Sequence, residues 1–192
     1  MFSRRHLSQA IVFCLVLGMF ATLYPIRNAT EQLNNQEASA YGSSDVRYVS
    51  LGDGFSCAVT TSGGVKCWGL NTSSEVGNAG AGSYPSTPVD VTGLTSGVSS
   101  VASGNSHSCA LTTRGGVKCW GSNSSGQLGD NSLTNRSTPV DVSGLTSGVS
   151  AVSSGGSHSC ALTTSGGVKC WGSNSNGQLG DNTTTNSRLP VN

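Results

Sequence analysis

Charge is scarce in this chain of 192 residues: only 10% of them are Asp, Glu, Lys or Arg, and the formal net charge is +1. A balance so close to neutral carries no footprint of a nucleic-acid binder or of a dedicated acidic partner. Aromatic residues are thin as well, at 6%. Gly, Ser, Thr and Asn fill the sequence instead. These residues weaken helices and favour turns, so the composition argues against a helical protein and points to short strands with many turns. No phosphate-binding glycine loop of the Walker or dinucleotide type occurs, which leaves no nucleotide-enzyme signature. Long apolar runs are missing too. The longest covers Ala10 to Leu23, fourteen residues. A bilayer span takes about 20 residues, whereas the apolar core of a secretory signal takes about 7–15.

That run follows a short basic start, "MFSRRHLSQ", so residues 1–24 read as a signal peptide. An uncleaved signal anchor stays open, because the nearby A-x-A triplet, Ala38-Ser39-Ala40, lies well downstream. Contact with a membrane would then come through residues 10–24 alone. Ser3-Arg4-Arg5 resembles a twin-arginine export signal only weakly. Cys14 lies inside the apolar run and reads as unpaired. Residues 25–45 show no pattern and read as a linker.

What is present is repetition. The six remaining cysteines stand at 57 and 67, 109 and 119, and 160 and 170, a period of 52 and then 51 residues. "VASGNSHSCAL" (Val101 to Leu111) returns as "VSSGGSHSCAL" (Val152 to Leu162), and "WGSNSSGQLGDN" (Trp120 to Asn131) as "WGSNSNGQLGDN" (Trp171 to Asn182). Periods of about 40–50 residues mark propeller blades or related arrays. The repeats are expected over 46–97, 98–148 and 149–192, the last stopping short of the next join.

In "CALTTRGGVKC" a glycine pair sits centrally, where a tight hairpin needs positive φ. Folding about Arg114 sets Cys109 opposite Cys119 and Leu111 opposite Val117. Opposed Cα atoms lie about 4.5–5.5 Å apart, and disulfides accept about 4.4–6.8 Å. The pairs Cys57–Cys67, Cys109–Cys119 and Cys160–Cys170 are therefore expected. Each closes a short ring that contributes about 2–3 kcal/mol on the chain-entropy account. The other hairpin face carries Ala110, Lys118 and Trp120, so both faces hold apolar groups and the hairpin is sandwiched between sheets. "VSSVASG" upstream supplies a third strand. "TPVDV" downstream supplies an edge strand, because its Pro88 or Pro139 cannot donate to a ladder. Four strands make a blade, and the fold class is all-β.

The stretch "GNSHSCALTTRGGVKCWGSNSSGQLGDN" (Gly104 to Asn131) closely resembles the repeat of the regulator of chromosome condensation family. His-Ser before a strand, Ala-Leu-Thr, a Gly turn, Trp-Gly-x-Asn and Gly-Gln-Leu-Gly carry the resemblance, which extends over 46–192. It implies a seven-bladed β-propeller. The cysteine pairs are similar to those of a secreted bacterial branch. Repeat 1 departs from the pattern: Phe55 replaces His107 and His158, and "SSEVGNAGAG" (Ser73 to Gly82) reads as a degraded loop. Three blades fall below the four that a closed propeller needs, so further blades or self-association are expected.

Rival chemistries fare poorly. His107, Cys109 and Cys119, repeated as His158, Cys160 and Cys170, lack the close cysteine pairs and the fourth ligand of a zinc site. No metal and no cofactor is expected. The histidines recur at one point of each blade, which suits a turn-stabilising hydrogen bond better than an active site. "DNSLTN" (Asp130 to Asn135) and "DNTTTN" (Asp181 to Asn186) lack calcium-loop patterns and read as surface loops. Lys66, Lys118 and Lys169, one per repeat, make no nucleic-acid surface. Trp68, Trp120 and Trp171 read as packing between blades, a structural core shared with His107 and His158. The expected function is a non-catalytic, exported (secreted or cell-surface) scaffold that binds an unnamed protein. The alternative implied by the resemblance is guanine-nucleotide exchange on a small GTPase, and no asymmetric constellation supports an enzyme of the propeller rim.

Overall fold

The computed structural model describes residues 45–192. The expected leader over 1–24 and all but the last residue of the expected linker over 25–45 lie outside the described residues. Those described form three four-stranded antiparallel sheets, the blades. Blade 1 contains β1 (Val46–Leu51), β2 (Phe55–Thr60), β3 (Val65–Gly69) and β4 (Val89–Asp90). Blade 2 contains β5 (Val98–Ser103), β6 (His107–Thr112), β7 (Val117–Gly121) and β8 (Arg136–Asp141). Blade 3 contains β9 (Val149–Ser154), β10 (His158–Thr163), β11 (Val168–Gly172) and β12 (Ser187–Val191). Each sheet keeps sequence order from one edge to the other.

The central hairpin sets the register. Cys109 pairs with Cys119, Ala110 with Lys118 and Leu111 with Val117, and the other two blades repeat this. The three disulfides bridge cysteines 10 positions apart, with Cα atoms at 4.1 Å. Each glycine of the turn has its own task. Gly63, Gly115 and Gly166 take φ of 83°, 78° and 88°, which only glycine adopts freely. Gly64 and Gly116 admit a neighbour instead, since a Cβ there would stand 2.7 and 2.5 Å from the Thr95 and Thr146 carbonyl oxygens. The proline strands lie at sheet edges, with Pro139 in β8 and Pro190 in β12. There the missing N–H costs no ladder bond.

The core lies between blades. One apolar cluster joins Cys57, Val59, Val65, Cys67, Val76 and Leu94 of blade 1 to Val98, Val101, Ala110 and Trp120 of blade 2. A second joins Cys109, Leu111, Val117, Cys119 and Leu128 of blade 2 to Val149, Ala161 and Trp171 of blade 3. The disulfides of blades 1 and 2 thus face the following blade, and Trp120 and Trp171 the preceding one. A sheet apolar on both faces needs a neighbour on each, and stacking supplies it.

Candidate functional site

Polar groups that recur between repeats 2 and 3 converge on the seams between blades. Trp120 and Trp171 are wholly buried, and a buried indole N–H needs an acceptor. Trp120 Nε1 donates to the Glu75 carbonyl and Trp171 Nε1 to the Gln127 carbonyl, both at 2.8 Å. Each indole therefore plugs into the loop of the blade before it. A Cβ on Gly77 or Gly129 would stand 2.8 or 2.9 Å from that indole nitrogen, so glycine there makes room for the ring. Trp68, the equivalent residue of blade 1, is half-buried.

His107 is also wholly buried. Its Nε2 lies 2.8 Å from Ser159 Oγ across the seam. Ser159 Oγ itself donates to the Gln127 carbonyl at 3.1 Å. The hydroxyl proton being committed there, His107 Nε2–H is the donor to Ser159, and Nδ1 is left as a buried acceptor without a partner. Burial first, and the neighbouring His158 second, pull the imidazole from 6.5 down to about 4. The ring is thus neutral. A general base would turn its unprotonated nitrogen toward the serine; here the protonated one faces it. For His107 the expected turn-stabilising hydrogen bond is corrected on this point. The ring serves its own turn by packing, since a Cβ on Gly104 would overlap it, and its hydrogen bond crosses to the next blade. Phe55 covers Gly52 in the same way, which explains why a phenylalanine serves in repeat 1, and half-buried His158 covers Gly155.

Sequence reasoning missed one residue type, the asparagine three positions after each tryptophan. Asn123 is buried. Its Nδ2 donates to Asp130 Oδ1 at 3.1 Å and to the Ser132 and Thr134 carbonyls at 3.1 and 3.2 Å, while Oδ1 accepts from Leu128 N at 3.0 Å. Asn174 repeats this set with Asp181, Thr183, Thr185 and Leu179. The "DN" loops are therefore tied inward. Burial pushes the Asp130 carboxyl up, but hydrogen bonds from Ser132, Arg136 and Asn123 outweigh it and hold the group below its ordinary range. A bond from Thr183 does most to lower Asp181.

The loop of repeat 1, expected to be degraded, keeps the same frame. Val76 N donates to Asn71 Oδ1 at 3.1 Å, and Ser73 N donates to Glu75 Oε2 at 2.7 Å, as Ser125 N does to Gln127 Oε1 at 2.9 Å. The difference is chemical. Glu75 is wholly buried and its Oε1 has no partner. In repeat 3, Gln178 Nε2 reaches Ser173 Oγ at 3.4 Å; repeat 1 has Leu70 where that serine stands.

The zinc reading loses its ligands, because the six cysteines beyond the leader are bonded in pairs. Among the described residues no group of three or more His, Cys, Asp or Glu gathers as a metal site, and no helix is long and apolar enough to cross a membrane.

Comparison with known proteins gives a consistent result. Two sequence profiles, both described as "Regulator of chromosome condensation (RCC1) repeat", match residues 46–75, 98–127 and 149–178 in one case and 62–111 and 114–162 in the other. The RCC1 domain-containing protein RUG3, mitochondrial, of Arabidopsis thaliana is 36% identical over 138 residues, 70% of this chain and 31% of RUG3. The probable E3 ubiquitin-protein ligase HERC4 of Homo sapiens is 34% identical over 77% of this chain and 14% of its own length. This chain thus spans about a third or less of those relatives. Human WBSCR16 superposes with a TM-score of 0.67 at 26% identity, over 79% of this chain and 41% of that one. Yeast RCC1 (Prp20), solved bound to Kap60, superposes at 0.68 and 22% identity, over 77% and 36%, a likeness of fold.

Proposed function

Because the chain belongs to the Regulator of chromosome condensation repeat family, we propose that it acts as a non-catalytic, exported propeller scaffold that binds another protein. The observation that carries this is the contrast between equivalent positions at the seams and on the outer faces of the first and third described blades. Leu111 and Val117 in blade 2 are 6% and 0% exposed, whereas Leu162 and Val168 in blade 3 are 42% and 55% exposed. On blade 1, Val49 and Leu51 are 59% and 70% exposed. Apolar faces of this kind mark protein contact. Further blades of the same repeat, or a second copy, would cover them as blade 2 covers blade 1. The buried polar groups, by contrast, are engaged in loop and seam architecture, with no nucleophile activated. Export is supported by the signal-like start and by three disulfides, which persist in oxidising compartments.

The test is fractionation of cells producing the full chain, combined with a photo-crosslinking residue at Val168. The expected outcome is recovery from the extracytoplasmic fraction with six paired cysteines, plus a discrete adduct with one other protein or with a second copy. A cytosolic protein with alkylatable thiols overturns export. No adduct from Val168, or the same adduct from an exposed loop position such as Asn182, overturns the binding role of the face.

A further inference from the structure

A net charge near zero hides a local surplus beside the hairpin turns. Each repeat sets a lysine on the second residue after its turn. Lys66 meets Asp90 at 2.7 Å and Lys118 meets Asp141 at 2.8 Å, but Lys169 meets the neutral side chain of Asn192 at 2.6 Å. The turns themselves differ at one position: Ser62 and Ser165 occupy it in repeats 1 and 3, and Arg114 in repeat 2. Those serines serve the turn. Ser62 Oγ lies 2.9 Å from Thr60 Oγ1, and Ser165 Oγ 2.9 Å from Thr163 Oγ1. Arg114 gives up that bond. It is exposed and makes no hydrogen bond or ion pair with any described residue. A broken local rule without local compensation is where function is sought in a repeat.

Arg114 lines a cleft of about 430 Å³. One wall is the Gly93–Gly97 connection from blade 1, and Thr112, Thr113 and Thr146 contribute hydroxyls beside the Lys118–Asp141 pair. We propose that this cleft binds a carboxylate-bearing segment of the partner protein, with Arg114 as its anchor. A guanidinium presents a planar fork of donors that takes a carboxylate bidentately. The remaining lining mixes donors with acceptors, which suits the amide groups of a peptide. Asp141 within the cleft opposes the dense charge of a nucleic acid, and none of the lining residues is an aromatic on which a base stacks.

This rests on the scaffold reading and names the chemistry of the partner. The test is fluorescence anisotropy of a labelled, C-terminally amidated glycine-serine peptide with one central glutamate, titrated with the full chain at low salt. The expected result is saturable binding that weakens at least threefold in Arg114→Ser and is unchanged in Arg188→Ser, an exposed arginine on β12. Serine already occupies this position in two identical turns, so the variant should keep its thermal unfolding midpoint. Equal binding by Arg114→Ser overturns the site. So does full displacement by inorganic phosphate at matched ionic strength, or equal Arg114-dependent binding of an oligothymidine. If peptide binding depends on Arg114 while Val168 crosslinks nothing, the cleft stands and the sheet-face reading falls. The converse pair of results removes the cleft alone.

Discussion

Replacing His107 by Phe should make the protein more resistant to mild acid, although the replacement removes a hydrogen bond. The magnitude follows from the seam. His107 is buried, neutral and held at about 4 against an unfolded value of 6.5. The unfolded chain therefore binds a proton at higher pH than the folded one. The sign is that of a depressed group: its full stability is present above pH 6.5 and is lost as pH falls toward about 4. Integrating one proton across that window gives a loss of about 3 kcal/mol, of which about 2 kcal/mol has gone by pH 5. Phenylalanine fits, because Phe55 already covers the corresponding glycine in blade 1. At pH 8 the variant forgoes the bond to Ser159 and should lose about 1 kcal/mol, while Ser159 keeps the Gln127 carbonyl. Asp130 and Asp181 lie below the ordinary carboxylate range and titrate beneath the window. Urea unfolding followed by the fluorescence of buried Trp120 and Trp171, at pH 8 and pH 5, reads the difference. The variant should be the less stable at pH 8 and at least as stable as wild type at pH 5. Parallel losses in the two proteins would refute the buried, neutral histidine.

Other consequences are open to simpler measurements. Glu75→Gln keeps an oxygen to accept from Ser73 N and puts a neutral amide nitrogen, as at Gln127, where a buried carboxylate oxygen has no partner, so it should stabilise by about 1 kcal/mol in the same urea assay, the amide being the cheaper group to bury unpaired; a loss would mean that Glu75 is satisfied. Trp120→Ala or Trp171→Ala should cost about 3–5 kcal/mol, and Trp68→Ala distinctly less, because Trp68 is half-buried and the other two are not exposed at all; equal costs by thermal unfolding would contradict the seam description. Limiting reductant followed by alkylation and mass mapping should open Cys160–Cys170 first, since Cys170 is 7% exposed and the cysteines of the other two pairs 0%. Opening Cys57–Cys67 or Cys109–Cys119 first would show that the blade 3 face is covered in solution.

The hairpin was legible in the sequence for a local reason. Ten positions between cysteines, with a glycine pair in the middle, admit one symmetric fold-over. The Leu111–Val117 and Cys109–Cys119 pairings follow from counting. The seam was less legible because its partners lie one repeat apart. Nothing near His107 in sequence announces Ser159, 52 positions on, although the recurrence of "HS" held the hint that one repeat's histidine meets the next repeat's serine. The role of Asn123 and Asn174 was missed for a different reason. Asparagine is common in turns, so its position after Trp-Gly looked generic until five backbone and side-chain contacts converged on one amide. Arg114 was invisible to the net charge, which averages a lone guanidinium against carboxylates elsewhere, and only the comparison with Ser62 and Ser165 singles it out. The supposed decay of the repeat 1 loop failed because Asn71, Glu75 and Gly77 preserve the frame while the letters between them change.

Disulfide mapping of the full chain bears most directly on the central idea, that every repeat is one sheet closed by its own bridge and seated on its neighbours. Proteolysis without reduction, followed by mass analysis, should yield three linked species: Cys57 with Cys67, Cys109 with Cys119, and Cys160 with Cys170. A linkage between repeats, such as Cys67 with Cys109, or recovery of these six as free thiols, would contradict it.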